Sequence, residues 1–122
     1  MTETPAQTIR RAAALMRERA EKAPGGPWAV REARIGGDPY ETDLYVVSPA
    51  GQVDTIERTL GEGGIRDAEY IASWHPLVAL AVAGLLEREA ALIEAQVFPQ
   101  SDPVMERYPL AVARAYLGEA TG

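Results

Sequence analysis

The segment from Asp67 to Ala95 constrains the fold most, because two helical patterns meet there at a proline. Apolar and aromatic side chains recur at helical spacing up to Trp74, and Asp67 is a suitable N-cap for them. Pro76 lacks a backbone donor and disfavours helical geometry in the residue before it, so it is expected to end one helix and begin another. The pattern predicts helices at 67–74 and 76–96.

The second of these helices is apolar on nearly all sides in its first half. The run from Pro76 to Leu86 is 11 residues long, whereas a bilayer crossing needs about 20. The pattern therefore predicts a buried helix, with no membrane span. Such a helix has to be covered on more than one side, which favours a homodimer formed through residues 76–96. Gly84 is expected to mark a close approach to a neighbouring helix.

The remaining patterns predict a sheet flanked by helices. Thr4-Pro5-Ala6-Gln7 has the composition of a capping box with proline at the first helical position, which predicts a helix at 4–23. Residues 28–60 contain three β-branched and aromatic runs separated by Gly/Pro-rich turns, including one at 36–39, and predict an antiparallel meander. The glycine-rich stretch 61–64 is interpreted as a turn that closes it.

A last helix is predicted at 104–117, with Gly118 at its end. Pro109 leaves two alternatives, a kink within this helix or a helix that begins at Pro109. A chain of 122 residues matches one ordinary domain. The prediction is a single α+β domain over 1–122, in which a small antiparallel three-stranded sheet packs against three to four helices.

Charge and composition narrow the classes of partner. The net charge of −6 disfavours binding to phosphate backbones, so no nucleic acid is expected. With no cysteine in the chain, disulfides and thiolate zinc sites are excluded. The N-terminus lacks the order of a signal peptide. A cytoplasmic location is the expectation.

Four residues form the candidate ligand or partner site: Trp28, Tyr70, Trp74 and His75. His75 is the only histidine and so the natural starting point for acid–base chemistry. It has no second histidine for a metal pair and no serine spaced for a triad, and its position before Pro76 favours a structural role. The aromatic residues suit a seam between sheet and helices as well as a pocket. We expect no catalytic residue, no metal and no cofactor.

Three motifs carry a resemblance to known proteins. They are Ala23-Pro-Gly-Gly-Pro-Trp28, the segment Asp67-Ala-Glu-Tyr-Ile-Ala-Ser-Trp-His-Pro76, and the ending Leu110-Ala-Val-Ala-Arg-Ala-Tyr-Leu-Gly118. Together they resemble a group of short uncharacterised proteins of actinobacteria and their phages, and more loosely the Ead-like early-region proteins of temperate phages. The chain departs from the looser group by an extra glycine before Pro27 and by histidine at position 75. The resemblance implies a phage or prophage setting and supplies no catalytic residue.

These observations favour a non-enzymatic accessory protein of phage or mobile-element origin. Its expected action is to bind a host or phage protein, with modulation of host defence as one role of such binding. The alternative is a module that binds a nucleotide or metabolite in a pocket near Trp74 and His75.

Overall fold

The structure, a computed structural model, describes residues 2–34, 42–49, 51–59, 62–95 and 103–119. These residues form a mostly helical fold with a small antiparallel sheet, which confirms the α+β class at that level. The predicted turn at 36–39 lies outside the described residues. The described elements are, in chain order, α1 (Pro5–Lys22), β1 (Ala29–Arg34), β2 (Thr42–Ser48), β3 (Gly51–Thr59), α2 (Glu62–Ser73), α3 (Pro76–Glu94) and α4 (Pro103–Leu117).

The chain divides into two compact units. The helical unit comprises Met1–Arg19 and Leu80–Gly122, and the sheet unit comprises Ala20–Ala79. Helices α1 and α3 each continue from one unit into the other. The single domain over 1–122 stays a prediction.

The helical unit is built on a core of small and medium apolar side chains from α1, α3 and α4. Ile9 and Met16 of α1 and Leu86 of α3 are its largest fully buried members, and alanines fill the space between them. Alanine has no side-chain entropy to lose and lets helix backbones approach closely, so an alanine-rich face suits such a core. The buried set is Ala6, Ile9, Ala12, Ala13, Met16, Ala83, Leu86, Ala90 and Ala113.

The start of α1 and the end of α4 are capped as the sequence predicts. The Thr4 N–H donates to Gln7 Oε1 at 2.8 Å, and the Gln7 N–H donates to Thr4 Oγ1 at 3.2 Å, which is a capping box. At the end of α4, Gly118 has a φ of 71°. The Glu119 N–H donates to the Arg114 carbonyl at 2.9 Å, and the Gly118 N–H donates to that of Ala115 at 3.3 Å, which is a Schellman motif.

The sheet unit contains the three strands in the order β1-β2-β3, with both pairings antiparallel. Ser48 pairs with Gly51, so the second hairpin is tight. Val46 and Ser48, two residues apart on β2, are buried, as one face of a strand requires. Helix α2 contacts all three strands. The prediction that further helices cover the sheet stays a prediction.

Helix α2 begins earlier than predicted. Its first residue is Glu62, so residues 62–64 are helical and their interpretation as a turn is wrong. Glycine weakens a helix by about 1 kcal/mol in its interior, but packing against other elements often overrides such a preference. Ala68 and Ala72, one turn apart, are buried on this helix and provide a small-residue face.

Two predictions about α3 and α4 are also corrected. Helix α4 is continuous from Pro103 through Pro109, so a helix that begins at Pro109 is excluded. A Cβ added to Gly84 would lie 3.8 Å from Arg17 Nη2. This is an ordinary van der Waals distance, so among the described residues no neighbour makes the expected close approach at Gly84. The α3 residues Leu77 and Leu85 are exposed in the single chain, so cover of this helix by a second copy stays a prediction.

Candidate functional site

The candidate site lies in the sheet unit, where α2 ends and α3 begins. The Trp74 N–H donates to the Ile71 carbonyl at 3.1 Å, and the Ser73 hydroxyl donates to the Tyr70 carbonyl at 2.6 Å. These bonds satisfy carbonyls in the last turn of α2, which would otherwise lack partners. The backbone of Trp74 is therefore fixed by a hydrogen bond to the last turn of α2.

His75 provides the N-cap residue of α3. Its carbonyl accepts from the Val78 N–H at 3.0 Å and from the Ala79 N–H at 3.1 Å, and Pro76 is the first helical residue. Proline suits this position because its missing N–H would have no helical partner there. The predicted restart of the helix at Pro76 is confirmed.

The imidazole of His75 packs against the backbone of Gly26. A Cβ added to Gly26 would lie 2.5 Å from His75 Nδ1 and 3.1 Å from His75 Cγ, whereas a Cβ on Gly25 would meet nothing within 4 Å. Nδ1 is buried and has no hydrogen-bond partner among the described residues. Gly26 is thus required by the packing of the ring.

The segment 24–28 also positions Trp28. The Trp28 Nε1–H donates to the Pro24 carbonyl at 2.9 Å, and the Gly26–Pro27 peptide bond is cis. Trp28 and His75 therefore contact the same short segment, one by a hydrogen bond and the other by packing. This connects two of the four predicted site residues.

A cluster of exposed apolar side chains follows the chain through the junction. Tyr70 is 78% exposed, Ile71 41%, Trp74 39% and Leu77 54%. Tyr70 and Trp74 are four residues apart, and at helical spacing they fall on the side of α2 opposite the buried Ala68 and Ala72. We call Tyr70, Ile71, Trp74 and Leu77 the junction patch.

Four ion pairs lie in the described residues of the helical unit. Arg10 Nε contacts Glu94 Oε1 at 2.8 Å, and Arg17 pairs with Glu87. Arg11 contacts Glu3 at 3.0 Å and also pairs with Glu119. The hydrogen bonds from Arg11 and then Thr8 lower the pKa of the Glu3 carboxyl to about 2. These arginines tie α1 to α3 and to the residues that flank α1 and α4.

In the part of the chain that the structure describes, no three His, Asp or Glu side chains are grouped to hold a metal ion. No described helix is long and apolar enough to cross a bilayer. The arrangement offers exposed aromatic side chains where α2 ends and α3 begins.

Sequence reasoning named Trp28, Tyr70, Trp74 and His75 but missed Gly26, Ile71 and Leu77. Ile71 lies three residues before Trp74, so helical spacing could have placed them together. Leu77 was expected to be buried because its helix is apolar. No signal distinguishes Gly26 from Gly25, since only the position of the His75 ring separates them.

The fold and the junction patch define a small α+β protein with an exposed aromatic surface. The chain matches no protein-family model, and no curated protein or solved structure is significantly similar to it.

Proposed function

We propose that this protein is a non-enzymatic binding module that docks another protein on the junction patch. The observation that carries the proposal is the exposure of Tyr70, Ile71, Trp74 and Leu77 within eight consecutive residues. Exposed apolar side chains are ordinary when scattered, but several together indicate an interaction site.

The types of residue in the patch support a protein partner. Tyrosine and tryptophan are enriched at the centres of protein interfaces, where a few such side chains supply most of the binding energy. The backbone of Trp74 is bonded to Ile71, and His75 and Pro76 begin the next helix. A patch fixed in this way loses little conformational entropy on binding.

The proposal also includes a biological setting, which is based on sequence resemblance and not on the junction patch. The resemblance of the Ala23–Trp28, Asp67–Pro76 and Leu110–Gly118 segments to phage and actinobacterial proteins supports a phage or mobile-element accessory protein. Its partner would then be a host or phage protein, and modulation of host defence is one role that such binding serves.

Affinity capture followed by mass spectrometry tests the proposal. The bait is the wild-type chain, the Tyr70→Ala/Trp74→Ala variant, or the matched control Tyr108→Ala/Val112→Ala. Tyr108 and Val112 are also exposed and four residues apart on a helix, but they lie in the helical unit. Proteins captured by the wild type and the control but lost with the Tyr70/Trp74 variant support the proposal. An unchanged set of captured proteins contradicts it.

Self-association through α3 is a further part of the proposal. Leu85 lies in the middle of α3 and is 56% exposed, so a second copy of the chain would bury it. Light scattering of the 13.2 kDa chain at several concentrations checks this, with Leu85→Glu as the disrupting variant. A monomer at every concentration contradicts a dimer.

The small-ligand alternative remains a separate proposal, supported by His75 Nδ1, which has no hydrogen-bond partner within the described ranges. Gly26 occupies the space beside Nδ1, so a nucleotide or metabolite would have to approach another edge of the ring. His75→Ala distinguishes the two functions. A ligand role requires normal folding with loss of binding, whereas a structural role lowers thermal stability and leaves any ligand affinity of the folded fraction unchanged.

A further inference from the structure

The negative charge of the protein is concentrated in the unit that carries the junction patch. Residues 20–79 contain 5 Lys/Arg and 10 Asp/Glu, a net charge of −5. Residues 1–19 and 80–122 contain 7 and 8, a net charge of −1. The sheet unit thus holds most of the total of −6 on about half of the chain.

The acidic character extends to the helix that displays the patch. Within α2 lie Glu62, Asp67 and Glu69 against one base, Arg66. Glu69 is exposed and directly precedes Tyr70. A field of one sign attracts partners of the opposite sign and repels others. A cationic group is also attracted to the face of an aromatic ring, and Tyr70 and Trp74 are both partly exposed to solvent.

A second copy of the chain is a poor occupant of this patch. Pairing two sheet units through it would bring together two bodies that each carry −5, and like charges across an interface are unfavourable. A nucleic acid would meet the same repulsion.

Resting on the proposed function, we propose that the junction patch binds a basic segment of a partner protein, in which apolar anchor residues are flanked by Lys or Arg. The apolar anchors cover Ile71, Trp74 and Leu77, and the basic residues approach Glu69 and the exposed ring of Tyr70.

Two synthetic amphipathic peptides test this inference. One is a helical peptide of leucine and lysine, and the other has glutamate in place of every lysine. Fluorescence anisotropy of the labelled peptides measures their affinity for the full chain. Tyr70→Ala/Trp74→Ala removes the patch. Glu69→Lys reverses the charge of the exposed residue that precedes Tyr70 on α2, and Glu89→Lys makes the same change of net charge on α3 in the helical unit. Circular dichroism verifies that each variant folds.

The expected result is binding of the lysine peptide and not of the glutamate peptide. We expect about a tenfold loss with the Tyr70/Trp74 variant, as for the removal of interface aromatic anchors. Glu69→Lys should weaken binding more than Glu89→Lys, and salt should weaken it further because it screens exposed charges.

Three other results overturn the inference. Equal binding of both peptides, lost with the Tyr70/Trp74 variant, shows a docking surface without charge preference and leaves the proposed function intact. If the Tyr70/Trp74 variant binds the lysine peptide as tightly as the wild type does, the peptide binds at another surface. Binding of neither peptide rejects a basic partner, while affinity capture with the same variant decides the proposed function independently.

Discussion

The two units of this chain differ in whether their apolar side chains are buried or exposed. In the helical unit, alanine, leucine and isoleucine are buried in a shared core, and arginines of α1 pair with glutamates. In the sheet unit, Tyr70, Ile71 and Trp74 are exposed and the net charge is −5. The first arrangement stabilises a fold, whereas the second leaves apolar side chains exposed to solvent. Hydrophobicity of a segment therefore does not by itself indicate burial.

Adjacent leucines of α3 give the largest expected contrast. Leu86 is 2% exposed within the core, and Leu85 is 56% exposed. Leu86→Ala should lower the free energy of unfolding by about 2–5 kcal/mol, because it removes buried methyl groups and leaves a cavity. Leu85→Ala should change the stability of the monomer by less than about 0.5 kcal/mol. Urea denaturation of both variants measures the difference, and equal losses would place Leu85 in the core.

The glycines before Pro27 provide the corresponding contrast in the sheet unit. Gly26→Ala should destabilise the chain by about 1–3 kcal/mol, because its Cβ overlaps the His75 ring and the surroundings must shift. Gly25→Ala has open space, so we expect a much smaller effect. Thermal unfolding monitored by circular dichroism checks both.

A double variant tests whether the His75 ring causes the loss of stability expected for Gly26→Ala. Adding His75→Ala to Gly26→Ala should recover part of the lost stability, since the clash then has no partner. If the two losses simply add, the Gly26 backbone is sensitive for a reason unrelated to the ring.

Gly84 in the helical unit should respond in the opposite direction to Gly26. A Cβ there lies 3.8 Å from the Arg17 guanidinium, so Gly84→Ala fits without strain inside α3. The free energy of unfolding should rise by about 0.5–1 kcal/mol, because alanine favours the helix and restricts the unfolded chain. A loss of stability in urea denaturation would contradict the open packing at this position.

The smallest expected effect is the pH dependence of the ion pairs in the helical unit. The pKa of Glu3 is lowered from 4.5 to about 2 by its bonds to Arg11 and Thr8. A lowered folded-state pKa contributes stability that is present above pH 4.5 and is lost as the pH falls towards 2. Glu3→Gln should therefore reduce the acid sensitivity of unfolding, and 0.5 M salt should reduce it too, as solvent-exposed pairs are screened. Parallel acid titrations of both proteins, followed by circular dichroism, test this.

Local sequence signals predicted three helix ends correctly, although they missed the start of α2. The capping box of Thr4 and Gln7, the helix start at Pro76 and the glycine cap at Gly118 are each determined by residues a few positions apart. Such interactions need no tertiary contact, so a single sequence contains them. The three predicted strand runs likewise form an antiparallel sheet.

Local sequence signals did not predict the features that depend on tertiary packing. Helical residues 62–64 oppose the preference of glycine, and Pro109 lies inside a continuous helix. Gly26 is distinguished from Gly25 only by a ring 49 positions away in the chain. For the site, the aromatic residues were identified, but the exposure of Leu77 depends on which face of α3 meets the rest of its unit.

The affinity of the captured partner for two matched double variants tests the docking role of the junction patch most directly. Isothermal titration calorimetry gives the Kd for wild type, Tyr70→Ala/Trp74→Ala and Tyr108→Ala/Val112→Ala. We predict that the Tyr70/Trp74 variant weakens binding by about tenfold or more, as expected for interface aromatics, and that the control retains wild-type affinity. Unchanged affinity for the Tyr70/Trp74 variant, or a larger loss for the control, would contradict a docking surface at the junction of α2 and α3.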